Sequence, residues 1–263
     1  MKACWDNQLV TIQPCVRRVK LANWLSISDN YRFLWMEIFV LNTYTDEPAQ
    51  PAKACVIWLH GLGANGADMR GVVEAFPPIT MPIRHVFVDA PVRPVTINNH
   101  MPMPAWYDVT GLNLQDREDR EGILASERAI DDIISAQIAR GLGPQQIYLA
   151  GFSQGGAMAL FMGLRSQRTL GGVIALSAYL PLQKECAAPK HADLPIFMAM
   201  GTLDQVVMPD WTKLSYAFVK SQGCTQTIWK EYAMGHTICM QEVSDIAQWL
   251  QAQIQQVTQG VAL

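Results

Sequence analysis

A chain of 263 residues that is 50% hydrophobic and 16% charged has the apolar mass for one globular α/β domain and is not a disordered polymer. Its formal net charge of −3 at pH 7 offers no basic excess for a nucleic-acid backbone. No apolar run is long enough to span a bilayer, and the N-terminus lacks the apolar core of a signal peptide. The six cysteines show no close paired spacing, so reduced thiols in a cytoplasmic protein are expected.

Residues 1–35 hold no helical or strand period for long. They are expected to be an appended leader outside the core, or residues upstream of the natural start, with the folding unit running over 36–263 as a single domain. Met36–Leu41 reads as a first edge strand. The unbroken apolar run Cys55–Leu59 reads as a strand buried on both faces, followed by the glycine-rich turn His60-Gly61-Leu62-Gly63 and a helix over Asp68–Phe76. His85–Val88 is the next strand. The proline-rich stretch from Asp89 to Asp108 is too long for a simple connection. Its apolar residues Ile97, Met101, Met103 and Trp106 suggest that it lines or covers a pocket.

A helix is predicted over Asp116–Arg140, because Ile123, Ile130, Ile134 and Ile138 recur at three- and four-residue steps. The strand Ile147–Ala150 then leads through Gly151-Phe152-Ser153-Gln154-Gly155 into an apolar helix. Strand, Gly-x-Ser-x-Gly and helix form the context of a nucleophile elbow. A side chain at 151 or 155 would collide with the neighbouring strand or helix. Further strands are predicted at Gly172–Ser177, Pro195–Met200 and Thr227–Tyr232, and helices over Pro209–Ser221 and Met240–Val257. The alternation predicts a mostly parallel sheet with helices on both faces.

A serine hydroxyl needs a base to take its proton and an acid to orient that base. In an open parallel sheet these groups belong at the carboxyl ends of strands, in the order Ser, Asp, His. Only His191 and His236 follow Ser153. Asp204 directly follows the strand ending at Met200, and His236 occupies the turn after the strand ending at Tyr232. Asp193 precedes its strand, Asp210 reads as a helix start, and His191 as a surface residue. The catalytic set expected is therefore Ser153, Asp204 and His236. The oxyanion donors expected are the backbone N–H groups of Gln154 and Leu62, with His60 holding the loop.

These blocks, with Ala90-Pro91-Val92, Ala105-Trp106-Tyr107-Asp108 and Leu176-Ser177-Ala178-Tyr179-Leu180-Pro181, resemble the phospholipase/carboxylesterase family of α/β-hydrolases over residues 36 to about 250. The resemblance implies an α/β-hydrolase fold and a serine esterase acting on a small-molecule ester without metal or organic cofactor. It also implies a homodimer as one state that family members adopt; the lack of a long apolar run leads to the expectation of no stable membrane insertion. It places Trp106 and Tyr179 beside the acyl pocket. Tyr179 stands where the family's thioesterases carry tryptophan, which favours hydrolysis of short-to-medium acyl esters over the alternative, a thioesterase or lysophospholipase removing long acyl chains. A non-catalytic hydrolase-fold binding protein is the rival of another class.

Overall fold

The computed structural model describes residues 17–18, 37–38, 41–111, 113 and 118–260. The chain divides into two units, residues 1–40 and 41–263. In the first, β1 (Arg17–Arg18) pairs antiparallel with β2 (Glu37–Ile38). The strand expected over Met36–Leu41 is thus described at Glu37–Ile38 alone, with Leu41 outside any strand. The edge strand of the main sheet comes later in the chain, at β3 (Thr43–Asp46). β3 is largely exposed and runs antiparallel to its neighbour. That position suits Thr-Tyr-Thr-Asp, which cannot fill a strand buried on both faces.

The second unit is built on a seven-stranded sheet. Besides β3 it contains β4 (Ala54–Leu59), β5 (Ile83–Val88), β8 (Ile147–Phe152), β9 (Gly172–Leu176), β10 (Ile196–Gly201) and β11 (Thr227–Tyr232). The spatial order is β11-β10-β9-β8-β4-β5-β3. Every pairing except β3–β5 is parallel. All parallel strands therefore end at one edge of the sheet, and β8 lies in the middle of the row.

Two cores flank the sheet. Cys55, Ile57 and Leu59 of β4 face one core, and Ala54, Val56 and Trp58 face the other, following the two-residue period of a strand. Helices α2 (Arg120–Ala139), α3 (Gln154–Arg165) and α4 (Pro209–Ser221) cover the first face. Helices α1 (Gly66–Glu74) and α5 (Met240–Thr258) cover the second. In α3 every residue from Gln154 to Leu164 is buried, which explains its unbroken apolar sequence. Helix α1 begins in a capping box: Asn65 Oδ1 accepts from Asp68 N–H at 3.3 Å, and Asp68 Oδ2 accepts from Asn65 N–H at 2.9 Å. The first part of the helix predicted from Asp116 falls partly outside the described residues, and the described helix starts at Arg120 behind the N-cap Asp119.

The proline-rich stretch holds an antiparallel hairpin, β6 (Val92–Val95) with β7 (Met101–Pro104). Pro94 faces Pro102 across it. A two-stranded ribbon tolerates proline because each strand has an outer side that needs no ladder donor. Among the described residues no helix is long and apolar enough to cross a membrane.

Candidate active site

The carboxyl end of β8 delivers Ser153 with φ 55° and ψ −120°, a left-handed conformation that a non-glycine residue holds only where its surroundings over-determine it. The surroundings do so. Ser153 N–H donates to Leu176 O on β9 at 2.9 Å, and Ser153 O accepts from Ala157 N–H, which starts α3. A Cβ on Gly151 would sit 2.3 Å from Gly155 C, and one on Gly155 would sit 2.1 Å from Leu59 O. Helix and strands can close on the turn only if both positions lack a side chain.

Two further turns converge on this hydroxyl. Ser153 Oγ–H donates to His236 Nε2 at 2.9 Å, and His236 Nδ1–H donates to Asp204 Oδ2 at 2.7 Å. A carboxylate only accepts, so the proton of neutral His236 lies on Nδ1 and Nε2 is free to receive one. Asp204 is buried, and its Oδ1 accepts from Val206 N–H at 2.9 Å and Val207 N–H at 3.0 Å. The turns carrying the acid and the histidine are tied to each other. Thr202 N–H donates to Tyr232 O at 2.8 Å and Leu203 N–H to Met234 O at 3.0 Å. A Cβ on Gly201 would come within 2.4 Å of Gly235 O, so glycine there permits the approach. The Phe152 ring packs 4.7 Å from the His236 ring.

The glycine-rich turn after β4 lies against the elbow: a Cβ on Gly61 would stand 3.3 Å from Ser153 Cβ. Gly63 N–H is taken by Pro104 O and Ala64 N–H by Gly61 O. Among the described residues neither Leu62 N–H nor Gln154 N–H donates to a protein acceptor. Gln154 opens α3, where the first N–H groups have no intrahelical acceptor and the helix dipole is positive.

Trp106 and Tyr179 have packing surroundings. Trp106 has no exposed surface and both of its N–H groups are engaged, the backbone one by Gln154 Oε1 and the indole one by His60 O, each at 2.8 Å. Tyr179 is buried, its hydroxyl 2.8 Å from that of Tyr107 and its ring edge-on to Trp211. Both side chains are buried, Trp106 hydrogen-bonded to His60 and Gln154 and Tyr179 to Tyr107. Sequence reasoning did not find the side-chain role of Gln154 or the Tyr107–Tyr179 contact. The adjacency of Gln154 to Ser153 was the one available signal. His191 lies away from this chain of contacts, beside Thr169 Oγ1.

A parallel sheet with helices on both faces and a serine elbow at its carboxyl edge is an α/β-hydrolase fold. The family model described as phospholipase/carboxylesterase matches residues 42–254. Acyl-protein thioesterase 1 of Yarrowia lipolytica is 36% identical over 219 residues, covering 78% of this chain and 96% of that protein. Acyl-protein thioesterase 1 of Neurospora crassa is 35% identical over 216 residues, covering 78% of this chain and 88% of that protein. The crystal structure of Zea mays acyl-protein thioesterase 2 superposes with a TM-score of 0.73 at 27% identity, covering 81% of this chain and 99% of that one. The chain belongs to the phospholipase/carboxylesterase family. It is a carboxylic ester hydrolase of the serine type.

Proposed function

We propose that this chain is a thioesterase-like hydrolase that cleaves acyl groups through Ser153, His236 and Asp204. The observation that carries the assignment is the unbroken hydrogen-bond chain from Ser153 Oγ through His236 to Asp204 Oδ2. In the first half-reaction His236 Nε2 takes the Ser153 proton as Oγ attacks the acyl carbonyl carbon. The oxyanion that forms is received by the Leu62 and Gln154 N–H groups. The carbon–sulfur or carbon–oxygen bond then breaks, and the leaving group departs with the proton from His236. In the second half-reaction His236 takes a proton from water as the water oxygen attacks the acyl carbon; the carbon–Oγ bond then breaks, His236 returns the proton to Ser153 Oγ, and the acid leaves. Asp204 holds the productive tautomer and stabilises the imidazolium between the steps.

The naming of the fungal and maize relatives as acyl-protein thioesterases supports an acyl thioester as substrate, the alternative in the sequence reading, over the short-to-medium acyl ester expected first. The test is a panel of p-nitrophenyl butyrate, p-nitrophenyl palmitate and a long-chain acyl thioester, with fluorophosphonate labelling of the parent and of Ser153→Ala. The expected result is the highest kcat/KM on the thioester and no labelling of Ser153→Ala. A butyrate preference of tenfold or more would return the assignment to a short-chain esterase. Equal labelling of both proteins would remove Ser153 from the chemistry.

A further inference from the structure

We propose that His60 and Trp106 are positioning residues that aim the Leu62 N–H at the reacting carbonyl; the inference rests on Leu62 serving as an oxyanion donor. The Gly61 carbonyl and the Leu62 N–H are opposite edges of one planar trans peptide. Whatever holds the carbonyl therefore points the N–H. Gly61 O is held by His60 Nδ1 at 2.7 Å and by Ala64 N–H at 3.1 Å.

The His60 ring cannot swing away from this task. Its Nε2 is 2.9 Å from Ala90 N–H. A backbone N–H only donates, so Nε2 carries no proton, and the proton sits on Nδ1 and donates to Gly61 O. A second ring proton would set Nε2–H against Ala90 N–H. Burial acts in the same direction by pushing the His60 pKa below its ordinary value.

Trp106 fixes the peptide just before. Its Nε1–H donates to His60 O at 2.8 Å, and its ring lies 5.5 Å from the His60 ring. Trp106 is itself locked to the elbow. Its N–H donates to Gln154 Oε1 and Gln154 Nε2 donates to Tyr107 O, both at 2.8 Å, while Ser126 Oγ–H donates to Trp106 O. Gln154 thus presents its backbone N–H to one side of the oxyanion, and its side chain fixes the residue that helps to orient the donor on the other side. One buried network sets the spacing of both donors. That spacing matters only once negative charge develops, so loosening it should lower kcat and leave substrate binding nearly unchanged.

The experiment is steady-state kinetics on Trp106→Phe, which keeps an aromatic side chain, though a smaller one, and deletes the indole N–H. Substrate kinetics are paired with the inhibition constant of a trifluoromethyl ketone, and rates are normalised to folded protein. The expected result is a fall in kcat of about tenfold or more, KM within twofold, and a loss of ketone affinity in proportion to kcat/KM. His60→Asn and His60→Ala form a second arm, because Asn places an N–H near the Nδ1 position. His60→Asn should retain several times the kcat of His60→Ala at equal folded fraction. The proposal is overturned by a Trp106→Phe kcat within twofold of the parent, or by a loss fully accounted for by unfolded protein. If Trp106→Phe does not fold, equal rates for the two His60 variants overturn it. Ser153→Ala, assayed alongside, separates the two levels. Activity in that variant removes the proposed site itself, whereas an inactive Ser153→Ala beside a normal Trp106→Phe removes only this inference.

Discussion

Glu242 offers a quantitative test of how the fold tolerates a buried acid close to the histidine turn. It lies in the first turn of α5, has no exposed surface, and neither carboxyl oxygen has a hydrogen-bond partner among the described residues. Burial pushes its pKa up to about 8 from the usual 4.5. The Cys239 backbone N–H lies near enough to offset part of that rise, short of hydrogen-bond geometry, and nearby Asp245 adds to it. The folded chain therefore keeps Glu242 protonated through neutral pH while the unfolded chain ionises it. Below pH 4.5 both states hold the proton and there is no penalty. As pH rises toward 8 the unfolded state gains, and stability falls until the folded-state carboxyl also ionises. The displacement corresponds to about 5 kcal/mol over the full window and about 3 kcal/mol between pH 5 and pH 8. Glu242→Gln removes the titration with little change of shape, although its amide must bear the same lack of partners. Urea unfolding of both proteins at pH 5, 6, 7 and 8 reads the effect. The parent should lose about 3 kcal/mol relative to Glu242→Gln across that range. Two curves parallel to within about 0.5 kcal/mol would refute the assignment of a neutral Glu242.

Three further outcomes are expected. Ser153→Ala and His236→Ala should each lower kcat by about 10⁴-fold or more with unfolding midpoints near the parent, and Asp204→Ala should be the mildest of the three; a near-normal rate for His236→Ala contradicts the proton path. Gly155→Ala, whose Cβ would lie 2.1 Å from Leu59 O, should destabilise the chain by more than about 3 kcal/mol or prevent its folding, as thermal unfolding will show. Gly201→Ala would press on Gly235 O from 2.4 Å and push the Asp204 turn from the His236 turn. Its kcat should therefore fall by more than its folded fraction, and proportional losses would count against that reading.

Strand–helix alternation was legible because the buried strands β4 and β8 to β10 are almost wholly apolar and α2 repeats isoleucine at helical steps. The edge strand was misplaced by a few residues. Thr43–Asp46 is polar and half-solvated and so lacks the apolar signal, while the more apolar Met36–Leu41 attracted the assignment. The hairpin β6–β7 was hidden by its prolines, which mark loops in sequence but sit harmlessly on the outer sides of a two-stranded ribbon. Glu242 gave no sequence signal, since a glutamate in a first helical turn normally reads as a solvated partner of the dipole.

The sequence by itself determined the elbow and the candidate partners of its serine. Gly-x-Ser-x-Gly between a strand and a helix is a local pattern; the placement of acid and histidine at the ends of later strands follows from the parallel sheet, and their order from the fold that such an elbow marks. Only the tertiary structure decided which atoms meet: the 2.9 Å and 2.7 Å contacts of His236, the tautomer of His60, and the burial and partners of Trp106 and Tyr179. The physical reason is range. Backbone geometry and periodicity are written within a few neighbouring residues. A hydrogen bond joining residues 153 and 236, or 60 and 106, exists only after the sheet has brought their strand ends together.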